Sequence, residues 1–251
     1  MSSSIWTRCA GDSRLRTLRL SPWRVVEAQH LVSTRKLVDS SEEQILLEEM
    51  IDSAKPPDMT GGRIHYLLFT PFRYPPLSHG SRFGGRHERG IWYGSVELES
   101  AFAEVAYYRL LFIEGSSADL GTLTTALTAF TVLIKTLRGI DLTAAPFEKY
   151  RKEIASPDSY VETQQLGTDM RDAGVEAFLY PSARDRENGV NVGALTPTVF
   201  GRSRPKLLET WYCSASREGV DFARGDYFSR ARFAYEREQF LVRGKLPAPA
   251  V

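Results

Sequence analysis

Three short stretches of the sequence combine residue types that are able to bind a phosphorylated ligand and act on it. The first, residues 79–90 (HGSRFGGRHERG), places Arg82, Arg86 and Arg89 among four glycines. Glycine lets a backbone approach a ligand closely, and the planar guanidinium of arginine fits phosphate oxygens. This composition predicts a loop that holds a pyrophosphate, although a solvated basic loop has the same composition.

The other two stretches each contain one reactive side chain beside a strand or helix end. Residues 90–109 place Tyr93 at the end of a short predicted strand and Glu104 on the flank of the apolar stripe of the following helix. Residues 179–195 place Ser182 and Arg184 in a predicted turn between two strands. Taken singly, Glu104 also fits a boundary carboxylate paired with an arginine, and Ser182 an ordinary turn residue.

The common cofactor and metal motifs are missing from the sequence. It contains no phosphate-binding loop of the Walker type, no dinucleotide fingerprint, no HExxH, no pair of cysteines two residues apart and no GxSxG. Three of the four histidines, His65, His79 and His87, are close in sequence, but no acidic or sulfur ligand follows at a matching spacing. We therefore expect neither a metal site nor a resident cofactor.

Residue patterns predict an α+β domain that carries flanking helices. Helix is predicted for 23–51, with a second start near 39–43, for the segment that Ser95 would cap, and for 159–173. In the helix that Ser95 would cap, the apolar stripe is formed by Leu98, Ala101, Phe102, Val105 and Phe112. Strands are predicted for 64–69, 90–94, 124–136, 175–180, 190–195 and 207–213, with an edge strand near 227–235. The last residues, 247–251, are expected to be disordered.

Changes in composition divide the chain into three parts. These are an N-terminal helical extension at 1–62, a core at 63–213, and a C-terminal segment at 214–251 that packs on the core. The length of 251 residues fits one domain plus such an extension.

Overall charge and hydropathy narrow the class of protein. The 32 lysines and arginines nearly balance the 31 acidic residues, which disfavours direct nucleic-acid binding. Two distant cysteines exclude a disulfide framework. The N-terminus lacks an apolar segment of signal-peptide length, and the uncharged run at 120–134 is too short and polar to cross a bilayer. We expect a cytoplasmic protein without membrane contact.

Arg82, Tyr93 and Glu104 follow one another at intervals of eleven residues, and Ser182 follows a later strand. This arrangement, with the segment AFAEVAYYR at 101–109, resembles the RES domain family, which is named for its Arg, Glu and Ser. The resemblance runs from about residue 63 to 195. It implies a compact split β-core like that of ADP-ribosyltransferases, with flanking helices. It also implies a toxin that acts on NAD⁺ and an Xre-like antitoxin that covers its pocket.

The resemblance also implies roles for individual residues. Arg82 would bind a phosphate or ribose of NAD⁺, Tyr93 would stack on the nicotinamide, and Glu104 would stabilise the charged ribose. Ser182, Arg86 and Arg184 would complete the NAD⁺ site. The ADP-ribose acceptor stays open among water (a glycohydrolase), phosphate (a phosphorylase) and a protein side chain (a mono-ADP-ribosyltransferase). A non-catalytic nucleotide-binding module is the further alternative.

Overall fold

The computed structural model describes residues 3–28, 40, 42–43, 46–47, 50, 63–74, 79–226 and 231–248. The strands in these parts of the chain are β1 (Arg16–Leu20), β2 (Trp23–Glu27), β3 (Trp92–Ser95), β4 (Leu123–Thr131), β5 (Ile134–Asp141), β6 (Ala177–Pro181), β7 (Val190–Ala194), β8 (Lys206–Ala215), β9 (Gly219–Arg224) and β10 (Arg232–Glu236). The helices are α1 (Ile5–Arg8), α2 (Tyr66–Arg73), α3 (Leu98–Gly115), α4 (Arg151–Ile154) and α5 (Val161–Asp172).

These strands form one sheet that is nearly divided in two. Their order is β1-β5-β6-β7-β3-β2-β4-β8-β9-β10. At the centre, the antiparallel pairing of β2 with β3 consists of one residue pair, Trp23 with Ser95. On its other side β2 pairs along its whole length with β4, and β3 does so with β7. The predicted α+β class with a split β-core and flanking helices is therefore confirmed, and the split lies at this seam between β2 and β3.

Helix α3 packs on one half of the sheet through a wide aromatic contact. Phe102 stacks on Phe222 of β9, with ring centroids 4.4 Å apart, and meets Trp211 of β8 edge-on at 4.8 Å. Ala106, Leu110 and Ile113 follow on the same buried face at helical spacing. A second face of α3, which carries Glu104, consequently turns towards the seam.

Helix α5 holds the glycine- and arginine-rich loop in place. The buried ring of Phe83 meets Phe178 and Tyr180 edge-on, with centroids 4.7 and 4.8 Å away. Gly167 of α5 lies directly against this loop, and a Cβ added there would be 1.9 Å from the carbonyl oxygen of Phe83. Gln164 donates to the carbonyl oxygens of His79 and Ser81. Residues 79–84 are thus a packed element rather than a solvated loop.

The prediction of helix from residue 23 is wrong for residues 23–27. Residues 23–27 form β2, and the helical N-terminal extension at 1–62 also contributes β1 to the central sheet. The sequence WRVVE contains two adjacent valines, which favour a strand once β4 is available to pair with it. Residues 42, 43, 46, 47 and 50 are helical, as predicted for the second helix, and the remainder of 29–62 lies outside the described residues.

Two further predictions of local structure are wrong. Residues 64–69 were predicted as strand, but Tyr66–Arg73 is helix α2, where His65 Nδ1 accepts a hydrogen bond from the amide of Leu67. A short apolar run does not distinguish a strand from a buried helix. Ser95 does not cap α3, because it ends β3 and its hydroxyl donates to Asn191, while Glu97 is the N-cap residue.

The remaining elements agree with the sequence patterns over most of their length. The strands β3, β4, β6, β7 and β8 and helix α5 lie where they are predicted, and β10 (Arg232–Glu236) forms the predicted edge. Only the first three residues of β5 fall within the predicted stretch 124–136. The strands β1 and β9 and the short helices α1 and α4 were not predicted. Pro247 is not disordered, since its carbonyl oxygen accepts a hydrogen bond from the buried Tyr107 hydroxyl, while residues 249–251 lie outside the described residues. The three-part division of the chain stays a prediction.

Two glycine substitutions test the contact between α5 and the loop. We expect Gly167→Ala to lower the free energy of unfolding by about 1–3 kcal/mol, because the added methyl group collides with the Phe83 carbonyl. Gly115→Ala, at the end of α3, meets no atom within 4 Å and is the matched control, with an expected gain of up to about 1 kcal/mol. Urea unfolding measures both. Equal stability of the two variants would contradict the close contact.

Candidate active site

A cavity of about 640 Å³ opens along the seam between the two halves of the sheet. Its walls are β2, β3 and the second face of α3, and Tyr160, Tyr180 and Asn191 close it. Three residues singled out from the sequence, Arg82, Tyr93 and Glu104, line this same cavity. The fold therefore brings a loop, a strand and a helix to one place.

Glu104 is fixed by two hydrogen bonds to the same carboxylate oxygen. Its Oε1 accepts from the Ser182 hydroxyl at 2.8 Å and from the Asn191 side-chain amide at 2.6 Å. Asn191 is oriented in turn by Ser95, whose hydroxyl donates to its Oδ1 at 2.7 Å. Among the described residues no group donates to Oε2, so one oxygen of an oriented carboxylate is left for a ligand.

Ser182 is held so that its proton points to Glu104. Its Oγ accepts from the backbone amides of Arg184 and Asp185, both at 3.1 Å. Its own amide donates to the carbonyl of Gly189 across the turn between β6 and β7. With its acceptor positions occupied by two amides, the hydroxyl is oriented to donate to the carboxylate. Ser182 does not line the cavity itself and acts as a positioning residue for Glu104.

Arg82 is buried, and backbone groups fix its guanidinium. One nitrogen, Nη1, donates to the carbonyls of Ile154 and Ser156, at 3.3 and 2.7 Å. The guanidinium carbon lies 4.7 Å from the ring centroid of Tyr160, within the range of a cation–π contact. Among the described residues no carboxylate pairs with it. The charge of Arg82 therefore remains available to an anion in the cavity.

The phenol of Tyr93 is used structurally, while its ring lines the cavity. Its hydroxyl oxygen shares a hydrogen bond with the Ser81 hydroxyl, 2.9 Å away, and accepts from the Phe83 amide at 3.2 Å. Burial raises the pKa of Tyr93 to about 12, so this phenol stays protonated near neutral pH. Its contribution to a ligand is consequently the face of the ring rather than a proton.

The structure does not bring Arg86 and Arg184 to the cavity lining. Arg86 is exposed and its Nε donates to His87. Arg184 is buried, but its guanidinium lies 3.4 Å from the ring centroid of Tyr107 and donates to the carbonyl of Pro157. A cation that stacks on an aromatic ring and binds a backbone carbonyl stabilises the fold at that point.

Arg24 of β2 is a cavity residue that was not predicted from the sequence. Its Nη1 donates to the Tyr93 carbonyl at 2.7 Å, and its guanidinium lies 5.3 Å from the ring centroid of Trp92. Burial lowers its pKa to about 10, and its buried Nε has no hydrogen-bond partner among the described residues. The available signal was a cation inside an apolar, valine-containing segment, which the sequence analysis interpreted as helix.

The arrangement combines an oriented carboxylate with buried cations that lack carboxylate partners. Such a cavity fits a ligand that has anionic groups and a centre that becomes cationic during reaction. Within the described residues, no group of three or more histidine, cysteine or acidic side chains is placed to hold a metal ion. None of the described helices has the length and apolar character needed to cross a bilayer.

Comparison with known proteins relates the chain to one family. A family model of the RES domain matches residues 59–214. Among solved structures, the chain is similar to a chain in the crystal structure of the M. tuberculosis MbcT–MbcA toxin–antitoxin complex. The sequence identity is 12% and the TM-score 0.48, and the alignment covers 83% of this chain and 91% of the other. The search of curated proteins found no match.

Replacement of Ser182 tests its place beneath Glu104. Ser182→Ala leaves the buried amide of Arg184 and the part-buried amide of Asp185 without an acceptor, so we expect the free energy of unfolding to fall by about 1–3 kcal/mol. Ser216→Ala is the matched control, because Ser216 also donates to a glutamate and accepts an amide, but in an exposed turn. The control should change stability by less than about 0.5 kcal/mol in the same urea titration. Comparable losses in both variants would contradict the assignment.

Proposed function

Because the chain belongs to the RES domain family, we propose that it is a toxin-type enzyme that cleaves the nicotinamide–ribose bond of NAD⁺. The observation that carries the proposal is the Glu104 carboxylate, fixed through Oε1 by Ser182 and Asn191 in a cavity that Arg82 and Tyr93 also line. The outcome for the cell would be depletion of NAD⁺.

The chemistry of this bond suits a carboxylate and needs no general acid. As the bond between C1″ of the nicotinamide ribose and the ring nitrogen breaks, both electrons go to the cationic nitrogen, and nicotinamide leaves as a neutral molecule. Positive charge then develops on the ribose, as it does in glycoside cleavage. Glu104 would stabilise that charge through Oε2 and hold a ribose hydroxyl, since Oε1 is already occupied.

The other cavity residues would hold the dinucleotide still. Arg82, with Nη1 engaged by two carbonyls, would offer its remaining N–H groups to a phosphate or ribose oxygen. The ring of Tyr93 would stack on the nicotinamide. Holding the substrate in one orientation lowers the entropic part of the activation barrier. Arg86 and Arg184 lie outside the cavity lining and would not touch the substrate. Arg86 would add positive charge near the cavity, and Arg184 would support the packing behind it.

The acceptor for ADP-ribose would be water or phosphate, which makes the enzyme a glycohydrolase or a phosphorylase. Either acceptor attacks C1″ after nicotinamide has left, and forms ADP-ribose or ADP-ribose-1″-phosphate respectively. An Xre-like antitoxin would be the natural partner for a toxin of this family, acting in the cytoplasm by covering the cavity. Transfer to a protein side chain and binding without turnover remain as outcomes that the experiment below separates.

Glu104→Gln is the direct test of catalysis. The amide oxygen of glutamine can still accept from Ser182 and Asn191, so the fold should persist while turnover of NAD⁺ falls at least about a hundredfold through loss of the charge. Glu99→Gln is the matched control, since Glu99 is an exposed carboxylate in the first turn of the same helix. Chromatography of NAD⁺ and its products, with and without phosphate, measures turnover.

Each pattern of products has a definite meaning. Free ADP-ribose identifies a glycohydrolase, and phosphate-dependent formation of ADP-ribose-1″-phosphate identifies a phosphorylase. NAD⁺ that is consumed only with a protein acceptor present identifies a transferase. The proposal is contradicted if NAD⁺ stays undiminished without phosphate, with phosphate and with a protein acceptor. Full turnover by a folded Glu104→Gln protein contradicts it as well.

Two substitutions at Tyr93 separate its ring from its phenol. Tyr93→Phe keeps the ring and should keep turnover within about tenfold, whereas Tyr93→Ala should lose more, because a stacked ring contributes roughly 1–3 kcal/mol. Since the pKa of Tyr93 is raised to about 12, the pH dependence of kcat/KM between 6 and 10 should be the same in wild type and Tyr93→Phe. A profile that changes shape in the phenylalanine variant would assign the phenol a role in proton transfer.

A further inference from the structure

The cavity extends beyond the part that a nicotinamide riboside would occupy. Glu104, Tyr108 and Phe112 all line it, and they are spaced four residues apart along α3. At a rise of 1.5 Å per residue, Phe112 is about 12 Å along the helix axis from Glu104. The opposite wall, β2, follows α3 over this distance, and its last residue, Glu27, forms an ion pair with Arg109.

The far end of this cavity is formed by two exposed aromatic side chains. Tyr108 and Phe112 are 51% and 62% exposed, whereas Phe102, Ala106 and Leu110 on the other face of α3 are fully buried. The sequence pattern placed Phe112 on the buried stripe, and the structure places it on the cavity side instead. Large aromatic rings that stay exposed at the end of a concave site often contact a ligand.

Tyr108 lines the same cavity as residues at its reactive end. One of these is Tyr160, whose ring lies against the guanidinium of Arg82. A series of rings therefore leads from Arg82 through Tyr160 and Tyr108 to Phe112. The buried cation Arg24, which has no carboxylate partner among the described residues, lines the same cavity.

From this geometry we infer that Tyr108 and Phe112 form a subsite for the adenine base of the dinucleotide. This inference rests on the proposed cleavage of NAD⁺ and adds a basis for selectivity: the protein distinguishes a dinucleotide from nicotinamide mononucleotide by the base at its far end. Glu104 acts at one end of the substrate, the buried cations hold the diphosphate between, and the aromatic pair holds the purine through the faces of its rings.

Phe112→Ala is the variant that tests this subsite. We expect kcat/KM for NAD⁺ to fall roughly tenfold to a hundredfold, as the loss of one base-stacking ring predicts. Cleavage of nicotinamide mononucleotide, which has no adenine, should change by less than about threefold. Phe112→Trp keeps an aromatic face and should restore most of the NAD⁺ activity. Tyr212→Ala removes a comparably exposed aromatic ring outside the cavity, 49% exposed on β8, and is the control.

A binding measurement makes this test independent of turnover. Calorimetric titration of Glu104→Gln with NAD⁺ and with nicotinamide mononucleotide gives both affinities, and adding Phe112→Ala should weaken only the binding of NAD⁺. Equal losses for the two ligands, or no loss for either, overturn the adenine subsite and leave the proposed cleavage standing. The second result would reassign the exposed pair to a protein partner. A protein that binds neither ligand and leaves NAD⁺ intact overturns both proposals.

Discussion

The unpaired stretch between β2 and β3 is the feature on which the rest of the site depends. A sheet that continued its ladder through this point would leave no room for a ligand. After the pair of Trp23 with Ser95 the two strands separate, and the Tyr93 carbonyl accepts the side chain of Arg24 in place of a backbone amide. Buried carbonyl groups need a donor. Arg24 therefore lets the seam stay open without an unsatisfied carbonyl, and at the same time brings a cation into the cavity.

Helix α3 lies over this opening and contacts both the strands β8 and β9 and the cavity at the seam. Its aromatic face packs on β8 and β9 through Phe102, which fixes the rotation of the helix. With that rotation set, Glu104 points into the seam, where Ser182 and Asn191 reach it from the turn after β6 and from β7. The two halves of the sheet are thus linked through one carboxylate as well as through one backbone pair. The hydrogen bonds that Glu104 accepts from Ser182 and Asn191 therefore orient the carboxylate and also join the two halves of the sheet.

The parts of the molecule that the sequence predicted are those encoded in local patterns. Arg82, Tyr93 and Glu104 could be singled out because loop, strand end and helix flank each have a local signature, and the fold brings all three to one cavity. The direction of an individual side chain was not predictable in this way. Arg184 stacks on Tyr107, whose position depends on the packing of α3, and nothing near residue 184 indicates that ring.

Strand β2 shows the same limit for secondary structure. Its five residues fit helix or strand equally well until β4 is present to pair with them. For similar reasons residues 64–69 were predicted as a strand, and Phe112 was assigned to the wrong face of its helix. Each of these errors concerns a choice that a tertiary contact makes, since local propensity differs little between the alternatives.

The pairing of β2 also determines when during folding the cavity can exist. Trp23 pairs with Ser95 and Thr131, and Leu18 of β1 pairs with Thr136, so the N-terminal strands find their partners only after a long intervening segment has been made. Pairings of such sequence separation are formed late and slow the folding of a domain. During synthesis the chain would consequently carry Arg24 well before it carries the strands that enclose it. Glu104 would acquire Ser182 and Asn191 later still, so the nascent protein has no competent site until most of its length has left the ribosome.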